Sequence, residues 1–477
     1  MTVRTIASTP VPVAASAQRP LSPVARRDGF YVLNLRDLAG WLPVLVLAYP
    51  FIVWPMAFSA FTVGTGAGTE LSNIEASSSN AINVLYFLAV GGLAVLLAGP
   101  RLGMGQRMIW TGALFILVAY LALAAASTVW ALNTSISMRR LILQGLVIVS
   151  TVFAALVEDD PRRLARRLFW LALVTVALNI VWLGVKPPSP LGVEGIYPQK
   201  NVLGSVLLVI LPILTYALAT RRGWSRLLAL AGIGGTFLLL VLSQSKTSLG
   251  LAFVVPVFVI GATVAARSLR TTPATLIWFG LLAIVLLWLL VSQVTGMTLD
   301  DLSELTFGDP TFTGRTFIWE FIGQQIENRP ALGYGFNSFW AVGYDSPSFR
   351  EAPGFIISLL QSHSGYLDVR IETGIVGFVL LLGLIVLSMN QASALVRRDR
   401  ALAVLCMSLV LLAVLHNLLE SSFFRSYNAV WVGLLLAIAM STPRLRSHGG
   451  VPATALPGDE DEQEDEPRIR TALPEAR

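Results

Sequence analysis

Four short stretches bring cations, amides or an imidazole to the edges of strongly apolar sequence, and each suits an anionic ligand or a proton transfer. In residues 195–204, Lys200 and Asn201 stand where an apolar helix is expected to begin. An ammonium, an amide and the free N–H groups of a first helical turn would then share one anion-binding corner. In Ser243-Gln244-Ser245-Lys246-Thr247-Ser248, hydroxyl and amide side chains surround one lysine in a hinge between two apolar runs. Thr313-Gly314-Arg315-Thr316 opens an amphipathic segment with a guanidinium, whose planar fork suits phosphate. Residues 361–374 carry His363, the only histidine of a long insertion between apolar runs, and an imidazole can accept a proton at neutral pH. On a helix His363, Leu367 and Arg370 share one face, with Asp368 and Glu372 paired on another. Plainer roles fit the same residues: Asn201 as a cap with Lys200 snorkelling, the hinge hydroxyls as caps, Arg315 as a headgroup anchor, His363 as a structural group.

The elements that must position these residues follow from charge and hydropathy. Charged residues make up 13% of the 477, about half the share of a soluble protein, and 55% are hydrophobic. Every charge falls outside twelve apolar runs, at 41–62, 81–98, 108–126, 141–157, 168–185, 202–219, 227–242, 249–266, 275–292, 373–389, 401–415 and 428–441. Such runs read as membrane helices, because a span needs about 20 mainly apolar residues and offers its backbone no water. Porin strands would instead alternate in short segments. The expected fold is therefore all-α, a polytopic integral membrane protein with about 12 transmembrane helices.

With the N-terminus inside, the cytoplasmic segments hold 24 of the 34 Lys and Arg residues, which agrees with the positive-inside bias. Arg162, Arg163, Arg166 and Arg167, and Arg397, Arg398 and Arg400, read first as topology anchors. Lys186, Lys200 and Lys246, all three lysines, fall on the outer side, where that bias gives no reason for them. Residues 1–40 are expected to form an unstructured cytoplasmic tail, 41–292 the first nine spans, 293–372 one large outer loop, 373–441 the last three spans, and 442–477 an acidic cytoplasmic tail. The large loop is dense in aromatic and branched residues, and Phe317, Ile318, Phe321, Ile322 and Ile326 give it an amphipathic helix that could lie on the membrane. Seven carboxylates in residues 459–466 make a self-repelling, solvated block that could bind a regulator.

Several chemistries lack their residues. The net charge of +6 is scattered over loops and not gathered on a soluble face, so nucleic acid is not an expected partner. Cys406 is the one cysteine, so no disulfide forms within a chain. No His and Cys cluster has metal-ligand spacing and no P-loop is present, so neither a metal nor another cofactor is expected and phosphate chemistry would fall to Arg and Lys.

Taken together, these motifs resemble the O-antigen ligase and polymerase superfamily, especially exopolysaccharide polymerases of the rhizobial succinoglycan type. The resemblance runs in order through residues 127–131, Lys200-Asn201-x-Leu203-Gly204, residues 243–247, Thr313-Gly314-Arg315 with Trp319, Arg329-Pro330-x-Leu332-Gly333-Tyr334-Gly335, and residues 363–377. It implies a metal-independent glycosyltransferase in the bacterial inner membrane, with both termini cytoplasmic and the loop between helices 9 and 10 periplasmic. The donor would be a glycan on undecaprenyl diphosphate, and the acceptor a sugar hydroxyl. Carried onto this chain, Arg315 and Lys246 would bind the diphosphate and His363 would activate the acceptor, with inversion at the anomeric carbon. Lys246 stands where many ligases have arginine, and Ser364 where asparagine is common; the first favours the polymerase branch.

Lys200, Asn201, Tyr366 and Arg370 are further candidates for substrate binding. Tyr334, Phe336, Phe339, Trp340 and Tyr344 could provide platforms for sugar rings or pack the loop. Polymerisation of lipid-linked repeats is the leading expectation, with a chain-length regulator as a candidate partner, and ligation of glycan to the lipid A core the alternative. A secondary transporter is disfavoured by the absence of ionisable residues within the assigned spans.

Overall fold

The computed structural model describes residues 24–27, 30–33, 39–56, 81–103, 110–158, 160–186, 192–308, 314–344 and 346–443. The acidic stretch 459–466 and most of 1–40 lie outside them. Apart from a hairpin of β1 (Val24–Arg27) and β2 (Phe30–Leu33), the described elements are helical. They are α1 (Leu42–Ala48), α2 (Ala81–Gly103), α3 (Gly112–Ser127), α4 (Thr134–Val157), α5 (Pro161–Trp182), α6 (Lys200–Thr220), α7 (Trp224–Ser243), α8 (Lys246–Ser268) and α9 (Pro273–Thr295). After these come α10 (Leu299–Phe307), α11 (Arg315–Asn328), the single turn α12 (Pro347–Arg350), α13 (Gly365–Ala394), α14 (Arg400–His416) and α15 (Ala429–Ser441).

Seven of these helices, α4 to α9 and α13, are long and apolar enough to cross a membrane. The other expected spans fall on shorter apolar helices, among them Leu42–Met56, Arg400–His416 and Ala429–Ser441. Polar caps start many helices: Asn133, Asp160, Thr272, Asp399 and Asn428 each accept a first-turn N–H.

Burial separates the centre of the bundle from its rim. Every residue of α15 is buried, and α6 and α14 pack against it and each other. A helix that is apolar all round and covered all round belongs to the core. By contrast α9 buries only Pro273, Ala274 and Ile277 and turns the rest of its apolar surface outward, as suits a helix facing lipid.

At one end of the bundle basic residues gather: Arg162 bonds Asp399 at 2.5 Å, Arg221 donates to the Arg166 carbonyl at 2.9 Å, and Arg167 pairs with Glu158. Residues 314–344 and 346–364 pack on the other end. Their helix α11 buries Ile318, Phe321 and Ile322 against Tyr334, Phe339, Trp340 and Ile356, leaving Phe317 exposed. The apolar face expected to lie on the membrane is thus covered by the loop's own aromatic core.

Helix α13 is interrupted at Gly374 (φ 64°, ψ −162°). The break frees the carbonyls of Ile371 and Glu372, which accept from Tyr334 N and Gly335 N at 2.9 Å, while Ile375 N donates to the Pro330 carbonyl at 3.1 Å. A Cβ at residue 374 would lie 2.1 Å from the Ala331 oxygen, so only glycine permits this approach. The Arg329–Gly335 motif is therefore a backbone graft onto a broken helix.

Candidate active site

Asn201 is the second residue of α6, and one turn further on Gly204 lets α8 come close, since a Cβ there would meet Ser248 Oγ at 2.2 Å. Ser245 Oγ bonds both Ser248 Oγ at 3.0 Å and Asn201 Oδ1 at 3.4 Å. The α7–α8 hinge is two residues long because Gln244 adopts a left-handed conformation (φ 53°). Val193 N donates to the Leu242 carbonyl at 2.9 Å and braces that turn from outside. Lys200 and Lys246 each open a helix, and the Asn201–Ser245 and Gly204–Ser248 approaches bring these two helix N-termini to the same corner.

Arg315 opens α11 after Gly314 (φ 83°), and Trp319, one turn on, donates its indole N–H to the Ser362 carbonyl at 3.1 Å. That bond sets α11 against the turn carrying His363. His363 itself has a left-handed backbone (φ 54°), a strained geometry for a side chain of this kind. Buried serines on both sides hold it: Ser362 Oγ donates to the Ser364 carbonyl at 2.8 Å, and Ser362 N donates to Asp368 Oδ1 at 3.0 Å.

These segments meet on a residue the sequence motifs did not single out. Glu420 Oε1 accepts from Arg315 Nη2 at 2.9 Å and from Asn201 Nδ2 at 3.0 Å, and its Oε2 lies 3.3 Å from His363 Nδ1. Its side chain is 12% exposed. Burial raises the Glu420 carboxyl, but the hydrogen bond and charge of His363 and the charge of Arg315 outweigh it and hold the group below its ordinary value. Asn417 builds the turn that carries Glu420. Its Oδ1 accepts from Ser422 N at 2.8 Å and Phe423 N at 3.0 Å, and its Nδ2 donates to the Ala413 carbonyl at 2.7 Å. Gly365 N then donates to the Glu420 carbonyl at 3.0 Å, joining the turn to α13.

A second charged cluster lies alongside and ties the loop to the bundle. Arg425 Nη2 sits 2.9 Å from Asp368 Oδ2 and 3.1 Å from Glu372 Oε1, and its Nη1 donates to Asn337 Oδ1 at 2.7 Å. Trp340 Nε1 donates to Asp368 Oδ1 at 3.0 Å. The Asp368 and Glu372 pair expected on one helix face thus has a shared cation, Arg425, that the motifs also passed over.

Of the residues singled out from sequence, Arg315, His363 and Asn201 come together on Glu420, with Lys200 and Lys246 at the adjoining helix ends. Tyr334, Tyr366 and Arg370 do not join them. The Tyr334 ring is buried, with its hydroxyl 2.9 Å from Gln325 Oε1, and Phe336, Phe339 and Trp340 are equally enclosed. These four pack the loop and present no open face to a sugar, whereas Tyr344 is 79% exposed. Tyr366 donates to the Val414 carbonyl at 3.0 Å, and Arg370 to the Pro330 carbonyl at 2.5 Å.

Fold and site together define a multi-pass membrane protein with an enclosed, cation-rich cluster at one end of its helix bundle. Residues 206–382 match the O-antigen ligase family. The chain is 25% identical over 305 residues to the exopolysaccharide production protein ExoQ of Rhizobium meliloti, covering 59% of this chain and 66% of ExoQ. It is 31% identical over 100 residues to a Rickettsia felis protein named “Putative polysaccharide ligase”, covering 19% of this chain and 23% of that protein. The chain therefore spans just under two thirds of ExoQ and less than a quarter of the Rickettsia protein. Over residues 206–382 the chain is thus similar to the O-antigen ligase family, and over 305 residues to an exopolysaccharide production protein.

Proposed function

We propose that the protein is a glycosyltransferase of the bacterial inner membrane that extends polysaccharide from repeats carried on undecaprenyl diphosphate. The observation that carries this reading is the meeting of Arg315, His363 and Asn201 on one carboxylate, beside helix ends that begin with Lys200 and Lys246. A glycosyl diphosphate is already activated, so catalysis needs charge stabilisation on the leaving group and an oriented acceptor. Arg315 supplies a fork for phosphate oxygens, with Lys246 and Lys200 adding charge from the helix ends. His363 takes the proton of the acceptor hydroxyl, which attacks the anomeric carbon directly and inverts it.

The five shorter apolar helices cross the membrane as well, giving twelve spans, and the cluster faces the periplasm. Membrane lipids surround the outward faces. Growth of polymer is favoured over ligation to lipid A core because the match to ExoQ is longer than that to the Rickettsia protein.

The test is a reconstituted assay in vesicles supplied with purified lipid-linked repeats alone. A ladder of lengthening glycans is expected. Absence of any ladder, with activity appearing only when lipid A core is added, assigns ligation instead. His363→Ala and Arg315→Ala should each lose at least about a hundredfold in rate while inserting normally into the membrane, in line with the worth of a general base or a charge-stabilising donor. Full activity in either variant removes that residue from the mechanism.

A further inference from the structure

We infer that Glu420 is the positioning residue of the transfer, the group that fixes which nitrogen of His363 faces the acceptor; the inference rests on the glycosyltransferase reading above. An ionised carboxylate only accepts hydrogen bonds, so the contact between Glu420 Oε2 and His363 Nδ1 at 3.3 Å requires the proton on Nδ1. The lone pair of Nε2 is then the one available for the acceptor. In the transfer that lone pair takes the hydroxyl proton, the hydroxyl oxygen bonds the anomeric carbon, and the bond to the diphosphate breaks with its electron pair leaving on phosphate. Positive charge appears on the imidazole as this happens, next to the carboxylate that already balances Arg315.

Two features make such a partner necessary. His363 stands in a left-handed turn outside any helix, so no regular element aims its ring. The same carboxylate joins three separate segments, with Asn201 from α6, Arg315 from α11 and His363 ahead of α13. Its other oxygen accepts from both Arg315 and Asn201, so Glu420 has a fixed orientation and presents Oε2 to the ring. Enclosure and the lowered Glu420 carboxyl agree with an ionised group at neutral pH.

That shared oxygen makes Glu420→Gln a sharp test. Arg315 and Asn201 both donate, so the glutamine must turn its carbonyl toward them and its NH₂ toward His363. Nδ1 is then forced to accept, the proton moves to Nε2, and the ring can no longer take a proton from the acceptor. In the full-length enzyme reconstituted with lipid-linked repeats, Glu420→Gln is expected to lower kcat at least about a hundredfold, with KM within about threefold. Glu420→Asp keeps the charge and the acceptor-only character, and should recover a clear part of that loss.

A merely structural tether would tolerate the isosteric amide, so kcat near wild type in Glu420→Gln overturns the inference. A raised KM with unchanged kcat overturns it too, as does an aspartate variant no better than the glutamine one. Should Glu420→Gln fail to fold, the split is read on Glu420→Asp against wild type: reduced kcat at unchanged KM supports the role, and unchanged kcat overturns it. His363→Ala and Arg315→Ala run in the same assay separate the two failures. If both stay active, the glycosyltransferase site itself is wrong; if both are dead while Glu420→Gln is active, only the role of Glu420 falls.

Discussion

At the scale of single residues, charge balance explains why Glu420 is ionised in an enclosed place. Burying a lone carboxylate is costly enough that it would neutralise, but a guanidinium, an amide and an imidazole arranged on its two oxygens reverse the balance. The sign of the pH dependence follows. A carboxyl held below its ordinary value in the fold stabilises the protein above the ordinary range, near pH 4, and that contribution is lost as pH falls through the lowered value. Thermal unfolding in detergent should therefore show wild type above Glu420→Gln at pH 7, with the gap closing in acid; a gap constant down to pH 3 would mean the group is neutral in the fold. Lys246 gives a second expectation. Lys246→Arg should keep part of the transfer rate and Lys246→Ala much less, whereas equal rates in all three would reduce the residue to a helix start. Arg315, His363, Lys200, Asn201 and Lys246 were legible because each breaks an apolar context with a group that topology does not require. Glu420 and Arg425 break it in the same way, but they occupy the short connection at 417–428, which holds no histidine or lysine to mark it.

At the scale of elements, a packed connection accounts for how the site is enclosed. The 417–428 segment leads into the fully buried α15 and is itself covered: Asn417, Ser422, Phe423 and Phe424 are buried, and Phe424 stacks on Tyr120 with ring centroids 3.7 Å apart. Irregular backbone that is buried needs partners from the protein, and Asn417 supplies them to Ser422 N, Phe423 N and the Ala413 carbonyl. The interruption of α13 is a second device of this kind, and it predicts a specific sensitivity. Gly374→Ala combines a positive φ with a 2.1 Å clash against the Ala331 carbonyl, and should cost about 1–3 kcal/mol or more in thermal unfolding. Gly261→Ala, in the middle of α8 with nothing within 4 Å of the added Cβ, should change stability by less than about 1 kcal/mol. Equal effects from the two would deny the graft its structural importance. Sequence periodicity located the helices well, because apolar runs leave little choice of conformation. It could not tell whether the loop's aromatics face a ligand or one another, since Tyr334, Phe339 and Trp340 have the same composition either way and tertiary packing alone decides.

At the scale of the whole molecule, the two ends of the bundle differ in chemistry, and that difference makes sidedness testable. Arginines of the 162–167 segment, Arg221 and Asp399 gather at one end, while the Glu420 cluster and residues 314–344 and 346–364 occupy the other. On the proposed function the first end is cytoplasmic, in keeping with the positive-inside bias, and the cluster faces the periplasm, where lipid-linked repeats would have to be presented. The native chain is suited to a labelling test because its one cysteine, Cys406, is fully buried and should contribute little background. Tyr344→Cys places a thiol on an exposed position of the large loop, and Arg398→Cys places one on the exposed connection before α14. A membrane-impermeant maleimide applied to intact spheroplasts should modify Tyr344→Cys at once and Arg398→Cys only after the membrane is opened. The reverse pattern would turn the protein over and put Arg315 and His363 in the cytoplasm. Labelling of both sites before opening would instead mean that residues 344 and 398 share a side, which an odd number of crossings by α13 does not allow.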